Sequence, residues 1–263
     1  MSGFKLSPSG LREVLLPVAV LAGAVALWEA AVDLFSLPEY LLPAPSRIAA
    51  SIAEEPALFV ANALYTLQAT VGGFLLAVVI GVALAVIIVQ FKFVEQTLYT
   101  LLVSLNSVPK VAIAPLFIVW MGTGLNPKIG IAAMIALFAI VIDMVHGLKS
   151  VDPEMIELGR SARGSAFAIT WKIRFPSALP SLFAGMKVAI SLSLIGAIIG
   201  EFVAANRGLG YMILVAQGQF DIVRMFAALC VLSLIGLALF YGVALAERVC
   251  VPWRARRRAS AAA

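Results

Sequence analysis

The sequence contains few charged residues and very few side chains that bind metals. Only 13% of its 263 residues are charged, and it has two cysteines and one histidine. Cys230 and Cys250 lie too far apart on one helix to form a disulfide, and His146 has no companion ligand in the sequence. We therefore expect no disulfide framework, no metal site and no cofactor.

Catalytic motifs are lacking as well. The segment Gly122–Lys128 contains a lysine, but its glycine spacing is not that of a phosphate-binding loop, and no serine or threonine follows the lysine. The sequence shows no catalytic triad and no paired-carboxylate site. We therefore predict that the chain is not an enzyme, so any energy that it uses must come from a partner or an ion gradient.

Long apolar runs dominate the chain. Hydrophobic residues make up 62% of it and the mean hydropathy is +1.05, more than the polar surface of a soluble domain could cover. A hydrocarbon core of about 30 Å needs about 20 apolar residues per helical crossing. We predict an all-α membrane protein with six transmembrane helices within residues 15–248. The six segments are Leu15–Phe35, Thr66–Gln90, Thr97–Met121, Lys128–Leu148, Leu182–Ala205 and Met225–Leu245.

The basic residues are unevenly distributed between the two sides that six crossings define. With the N-terminus inside, 14 of the 19 Lys and Arg residues lie on the cytoplasmic side and four lie outside. This bias follows the positive-inside rule, so we predict that residues 1–14 and the basic tail, residues 249–263, are cytoplasmic. The tail suits anionic lipid headgroups, and we predict no nucleic-acid partner because no folded basic domain surrounds it.

The cytoplasmic loop at residues 149–181 is longer than a hairpin needs. Asp152 as N-cap and Pro153 at the first helical position predict a short helix that runs to Arg163. Gly164-Ser165 would break it, and Ser165 would cap a second helix that runs to about Phe175. Two prolines, Pro176 and Pro180, are expected to end that second helix and start the fifth span.

The second helix of this loop is unusually apolar for a cytoplasmic surface. Its length suits an interfacial helix that lies on the inner membrane face. It also suits a helix that inserts into a groove on a soluble partner, with aromatic residues as anchors. The residues alone leave both interpretations open. The apolar side chains are Phe167, Ile169, Trp171, Ile173 and Phe175.

The third predicted span contains a cation near its middle. Lys110 would cost about 2.5–3.5 kcal/mol at the bilayer centre if unpaired. Pro109 and Pro115 interrupt the helix around it, and Asn106 and Ser107 add polarity. Broken helix at membrane depth is tolerated where it lines protein or water. We predict that these five residues line a translocation path and that Lys110 attracts an anion; the alternative is a lysine at a kink, bonded to freed carbonyls.

Three other ionisable residues lie near the ends of predicted spans. Asp143 and His146 are spaced as i and i+3 and could relay protons, although a solvated pair at the inner interface explains them better. Glu201, near the outer end of the fifth span, could help to close an outer gate on the translocation path. A carboxylate that faces the interface is an equal alternative.

The cytoplasmic loop resembles the EAA loop of ABC-importer permeases. Glu157 matches the glutamate of that motif, Ile173 its isoleucine and Pro176 its proline, all at the motif's spacing. Further segments are similar to permeases of the nitrate/sulfonate/taurine group, and together they cover most of the chain. These segments are Pro109–Gly124, Val151–Glu154, Pro176–Pro180, Glu201 and Gly208–Tyr211.

The loop also departs from the EAA motif. Leu158 and Gly159 replace its two alanines, and Phe175 replaces its leucine. The motif's glycine falls on Arg163, with Gly164 next to it. The break between the two short helices is therefore expected within one residue of Arg163.

The resemblance implies a type I ABC importer permease fold (MetI-like) in a bacterial inner membrane. It implies a homodimer, two ATPase subunits on the cytoplasmic side and an extracytoplasmic binding protein. The second short helix would be the coupling helix, which favours the docking interpretation given above. The coupling residues would be Glu157, Gly164, Ser165, Phe167, Ile169, Trp171, Ile173 and Pro176.

The resemblance leaves the transported solute open. A small anion, such as a sulfonate, taurine or nitrate, agrees in sign with Lys110. Permeases for riboflavin-type or pyrimidine-type nutrients are similar and remain an alternative. A proton-driven secondary transporter, with Asp143, His146 and Glu201 as its relay, is the rival of another class, although no inverted repeat supports it.

Overall fold

The computed structural model describes residues 8–95, 97, 104 and 108–253, and no strand occurs among them. The α-helices, numbered α1 to α11 in chain order, are Pro8–Leu34, Pro45–Glu54, Pro56–Gln90, Lys92–Val94, Ala114–Met121, Leu125–Lys149, Pro153–Ser161, Ala166–Ile169, Phe175–Ala204, Leu209–Gly218 and Ile222–Cys250. A 3₁₀ helix, Lys110–Ile113, precedes α5, and a π-helical segment, Thr170–Arg174, joins α8 to α9.

Four helices in the described part are long and apolar enough to cross a membrane: Pro56–Gln90, Leu125–Lys149, Ala166–Ala204 and Ile222–Cys250. They contain the second, fourth and sixth predicted segments and nearly all of the fifth. The first predicted segment falls largely in α1. Part of the third lies outside the described residues, and its described end, Lys110–Met121, is a shorter apolar helix. The described residues therefore show four helices that are long enough to be predicted crossings.

Proline sets the start of several helices. α2, α3 and α7 each begin with a proline, whose fixed φ suits the first helical position and whose missing N–H is not needed there. At the other end of α5, Gly122 adopts a φ of 79° and stops the helix. The short polar segments between the apolar runs therefore determine where the helices begin and end.

The described residues form two compact units. The larger unit comprises Val60–Tyr211 and the chain from Val231 onward. Its core lies among α3, α6, α9 and the second part of α11, and α6 is its most buried helix. A partly buried ion pair, Lys187 Nζ to Glu247 Oε2 at 2.6 Å, also joins α9 to α11.

Glycine permits the close packing of α3 and α9 against α6. A Cβ on Gly73 would lie 2.4 Å from Cβ of Ala132, and one on Gly196 would lie 2.6 Å from Cα of the same residue. Gly81 of α3 likewise lies against Ile140. From sequence, glycines in the second span are most simply interpreted as ordinary membrane-helix residues, but in the structure they are packing positions.

The smaller unit comprises the chain before Val60 and Met212–Cys230. Glu29 of α1 accepts hydrogen bonds from N–H and Oγ of Ser46, at 2.9 and 2.6 Å, and so caps α2. Arg224 pairs with Glu55 at 3.0 Å, and the rings of Trp28 and Phe226 lie 6.2 Å apart. These contacts connect the helices within this unit.

Candidate functional site

The first helix of the long loop, α7, begins as predicted. Oδ1 of Asp152 accepts a hydrogen bond from N–H of Glu154 at 3.0 Å, and Pro153 is the first residue of the helix. α7 ends at Ser161, two residues before the predicted end at Arg163.

Arg163 forms the turn that ends α7. Its φ is 56°, in the left-handed region. Its N–H bonds to the carbonyl of Arg160 at 2.9 Å, and N–H of Gly164 bonds to the carbonyl of Gly159 at 3.0 Å, which is a Schellman cap. Left-handed conformation costs a non-glycine residue about 1–2 kcal/mol. The predicted break is confirmed, and the residue at the motif's glycine position has the conformation that favours glycine.

The second helix begins as predicted but does not end where predicted. Oγ of Ser165 accepts a hydrogen bond from N–H of Ala168 at 3.2 Å. The helix then continues through the π segment into α9, and Ala166–Ala204 is one helical run of 39 residues. Pro176 is the second residue of α9, directly after the π segment, and Pro180 lies inside α9. The prediction that these prolines separate the short helix from the fifth span is therefore wrong.

Three aromatic residues follow one another along this helix, and we call them the aromatic ridge: Phe167, Trp171 and Phe175. Phe167 and Trp171 are exposed, whereas Phe175 is half-buried and packs against the core of the larger unit. The three residues are spaced four residues apart, so they share one face. The ring centroids of Phe167 and Trp171 lie 6.0 Å apart, and those of Trp171 and Phe175 lie 4.8 Å apart. The exposed fractions of Phe167 and Trp171 are 69% and 43%, respectively.

The two isoleucines of the second helix do not belong to that exposed face. Ile169 is buried and Ile173 half-buried, and both contact Gly159 of α7. The sequence interpretation placed all five apolar residues on one surface. The helical period of 3.6 residues separates them instead, with the aromatic ridge facing out and the isoleucines facing α7.

The segment around Lys110 is irregular, as predicted. Pro109 is extended, and Lys110 starts the 3₁₀ helix that leads into α5. Nζ of Lys110 lies 4.4 Å from the ring centroid of Phe138 on α6, a cation–π contact within the larger unit. Pro115 lies in the first turn of α5. The other two residues of the predicted path, Asn106 and Ser107, lie outside the described residues.

Glu201 is completely buried, so it does not face the interface. Its Oε1 accepts a hydrogen bond from Oγ1 of Thr66 at 2.8 Å, and its Oε2 accepts one from N–H of Gly210 at 2.7 Å. Two side chains of α3 bind the neighbouring backbone N–H groups. Oγ1 of Thr66 accepts a hydrogen bond from N–H of Leu209, and Oδ1 of Asn62 accepts one from N–H of Gly208.

Three consecutive N–H groups at the start of α10 are thus capped by side chains from α3 and α9. The first turn of a helix leaves such groups without partners inside the helix. A carboxyl group is especially suited to this place, because the helix dipole is positive there. Gly208, with φ of 110°, permits the approach, since a Cβ would lie 2.3 Å from Cδ of Glu201.

Lys128 is a buried cation that sequence reasoning missed, because it was counted as an outer-loop residue. It is completely buried at the start of α6, and its Nζ donates to the carbonyls of Thr123 and Ala204. Ala204 ends α9, where the helix dipole favours a cation. No local pattern indicates this burial, because Lys128 is the first residue of the predicted fourth segment, where a lysine can reach the interface.

The structure does not bring Glu201 close to the other two residues of the suggested proton relay, Asp143 and His146, which lie one turn apart on α6. Asp143 packs against Gly185 of α9, and His146 is exposed. Glu201 lies on the same helix as Gly185, about 24 Å further along its axis. A direct hydrogen-bonded relay between Asp143 and Glu201 would need intermediate groups over that distance.

Long apolar helices packed through glycine, together with a loop that carries an exposed aromatic ridge, define a polytopic helical membrane protein. A family model described as the binding-protein-dependent transport system inner membrane component matches residues 73–249. The chain therefore belongs to this family. It is a permease component of ABC importers, an integral multi-pass protein of the inner membrane.

Curated relatives match along nearly the whole chain. The riboflavin transport permease RibX of Chloroflexus aurantiacus is 36% identical, over 91% of this chain and 90% of RibX. The formylaminopyrimidine transport permease ThiX of Halalkalibacterium halodurans is 31% identical, over 93% and 98%. The taurine transport permease TauC of Escherichia coli is 27% identical, over 92% and 90%.

The fold is shared with a solved transporter. Inward-facing crystal forms of the MetNI methionine ABC transporter match with a TM-score of 0.67 and 20% identity, over 75% of this chain and 98% of that chain. The predicted all-α, MetI-like fold is thereby confirmed.

Proposed function

We propose that the chain forms the translocation path of an ABC importer and couples it to ATP hydrolysis on a separate subunit. The observation that carries the proposal is the exposed aromatic ridge on a short helix that is continuous with α9. An exposed apolar cluster of this kind is typical of a docking surface. It lies within the loop whose Glu157, Ile173 and Pro176 match the EAA spacing.

The working unit that we propose is a homodimer with two ATPase subunits. Each ridge would enter a groove on one ATPase subunit, and Glu157, Gly164 and Ser165 would shape the turn that presents it. An extracytoplasmic binding protein would deliver the solute. The excess of basic residues on the side of this loop supports a cytoplasmic location for the ridge and for both termini.

The translocation path would pass the segment from Asn106 to Pro115. Lys110 is half-buried in a 3₁₀ turn, and such irregular backbone suits the wall of a water-filled path. Glu201 was included in the path from sequence. Glu201 is completely buried, and its hydrogen bonds join α9 to Thr66 of α3 and to the start of α10. These contacts support a different role for it, which is to hold the wall of the path in place.

Two classes of solute have support. The relatives RibX and ThiX, at 36% and 31% identity, are named for riboflavin and formylaminopyrimidine, which are nitrogen heterocycles. TauC, at 27% identity, is named for taurine, and Lys110 would suit the sulfonate group of such a solute. We propose a small nutrient of one of these two classes.

Reconstitution tests the proposed function. Proteoliposomes contain the permease and its ATPase partner, with the binding protein added outside. They are expected to take up solute only when ATP is enclosed inside, and to be insensitive to a protonophore. The measurement is uptake of radiolabelled solute. Uptake that persists without the ATPase subunit and stops with a protonophore would favour the proton-driven rival.

The substitution Lys110→Ala tests the class of solute. For an anionic solute, losing the cation is expected to lower uptake about tenfold at limiting concentration, equivalent to about 1.4 kcal/mol. For an uncharged heterocycle, uptake should change less than twofold. Lys110→Arg, which keeps the charge, is the matched control, and the yield of assembled complex is measured alongside. If Lys110→Ala lowers the yield of assembled complex and Lys110→Arg does not, the role of Lys110 is structural.

A further inference from the structure

The aromatic ridge is connected to two membrane helices, not one. The first connection is direct, because residues Ala166–Ala204 form one helical run, so a displacement of the ridge moves α9 with it. The second connection runs sideways to the end of α3. It consists of a hydrogen bond between two side chains that are 80 positions apart in the sequence.

Thr170 makes this second connection from the first position of the π segment. Its exposed fraction is only 3%. Its Oγ1 lies 3.0 Å from Oε1 of Gln90, the last residue of α3, and 2.9 Å from the carbonyl oxygen of Ala166. A buried hydroxyl could be satisfied by the Ala166 carbonyl alone, as is usual for threonine in a helix. Thr170 has one hydroxyl hydrogen, which is donated either to Oε1 of Gln90 or to the Ala166 carbonyl; in the second case the Gln90 amide is turned so that its Nε2 donates to Oγ1. In both arrangements the bond to Gln90 links two helices.

The neighbours of Thr170 along the helix are packed on one side and exposed on the other. On the α7 side, Ile169 and Ile173 contact Gly159, which leaves no space for a larger residue without a shift. On the other side, Trp171, the next residue, belongs to the exposed ridge. π-helical segments are rare and occur frequently at functional sites, because the wider turn changes which faces the flanking side chains present. Here the segment begins at the residue that contacts α3.

We infer that Thr170 and Gln90 form a positioning pair that transmits movement of the ridge to α3. Docking of the ridge would displace α9 through the continuous helix and α3 through this hydrogen bond. The two helices, which both pack against Ala132 of α6, would then move together. This inference rests on the proposed coupling role of the ridge and adds two residues that lie behind the docking surface.

The test uses substitutions that remove the hydrogen bond but keep the shape. In the reconstituted complex, Thr170→Val and Gln90→Met are each expected to lower solute uptake per ATP hydrolysed about fivefold, which corresponds to one hydrogen bond. The amount of assembled complex and the ATPase rate should stay within twofold of wild type. Thr170→Ser keeps the hydroxyl and should restore the ratio. The double variant should be no worse than either single variant, because both remove the same contact.

Two results would overturn the inference. One is an unchanged ratio of uptake to ATP hydrolysis in Thr170→Val. The other is a parallel fall of uptake, ATPase rate and complex yield, which would indicate a purely structural contact.

A separate experiment checks the docking proposal itself, by disulfide crosslinking of Phe167→Cys to a cysteine in the groove of the ATPase subunit. If no groove position crosslinks, the proposed docking is wrong. If Phe167→Cys crosslinks equally with and without Thr170→Val, docking is intact, and any loss of uptake per ATP in Thr170→Val comes from the transmission of movement to α3.

Discussion

Trp171→Asp is expected to abolish ATP-dependent uptake while the protein still inserts into the membrane. Trp171 is the central residue of the aromatic ridge, with Phe167 and Phe175 on either side at 6.0 and 4.8 Å. In the proposed complex its ring would be buried in the ATPase groove, so the substitution removes the anchor and places a carboxylate in an apolar contact. Such a change costs several kcal/mol at an interface, a weakening of roughly a hundredfold or more. The measurements are uptake and copurification of the ATPase subunit.

Two further variants make that result specific. Trp171→Phe keeps an aromatic ring on the exposed face and should retain most of the uptake. Deletion of Ser165–Trp171 removes the Ser165 cap and the two exposed ridge residues, Phe167 and Trp171, and should uncouple ATP hydrolysis from uptake. Normal uptake by Trp171→Asp would show that this residue does not couple the permease to the ATPase subunit. A position that stays exposed to solvent and contacts no partner tolerates a carboxylate.

The loop shows how far local sequence patterns determine structure. Asp152 and Ser165 cap the helices for which the sequence proposed them, because a capping bond involves residues only two or three positions apart. The break at Arg163 was also predicted within one residue. The continuity from α8 into α9 was not predictable from the prolines. A proline has no N–H, and this is compatible both with a position just after a helix end and with a position in the first turn of a helix. Only the fold shows that the helix continues through the π segment past Pro176.

Contacts between helices were the part that the sequence could not supply. Glu201 was recognised as a candidate, but its partners Thr66 and Gly210 lie on other helices, and no local spacing predicts the contact. Lys128 was overlooked for the same reason, since its partners are two backbone carbonyls that only tertiary packing brings close. The hydrophobic pattern identifies helices that are buried in lipid or protein, but it does not show which side chains face each other.

The cap on α10 has a consequence for stability, and Glu201→Ala is expected to cause the largest loss. The substitution leaves N–H of Gly210 without its acceptor in a buried position and creates a cavity beside Gly208. An unsatisfied buried N–H and a small cavity together destabilise by on the order of 3 kcal/mol. For a protein of this size that lowers the midpoint of thermal unfolding by roughly 6–12 °C. The measurement is thermal unfolding of the detergent-solubilised protein, followed by size-exclusion chromatography.

Glu201→Gln distinguishes this cap from a requirement for negative charge. The glutamine oxygen can still accept from N–H of Gly210, and its amide can donate to Oγ1 of Thr66. The Thr66 hydroxyl can then turn to the carbonyl of Asn62, which lies 3.2 Å away. The groups of the cap keep their partners, and only the second N–H of the introduced amide has none. The loss should therefore be less than half that of Glu201→Ala. Glu39→Ala, at an exposed ion pair with Arg47, is the control and should change stability by less than about 1 kcal/mol. Equal losses in Glu201→Gln and Glu201→Ala would show that the charge, and not the hydrogen-bonded cap, holds α3, α9 and the start of α10 together.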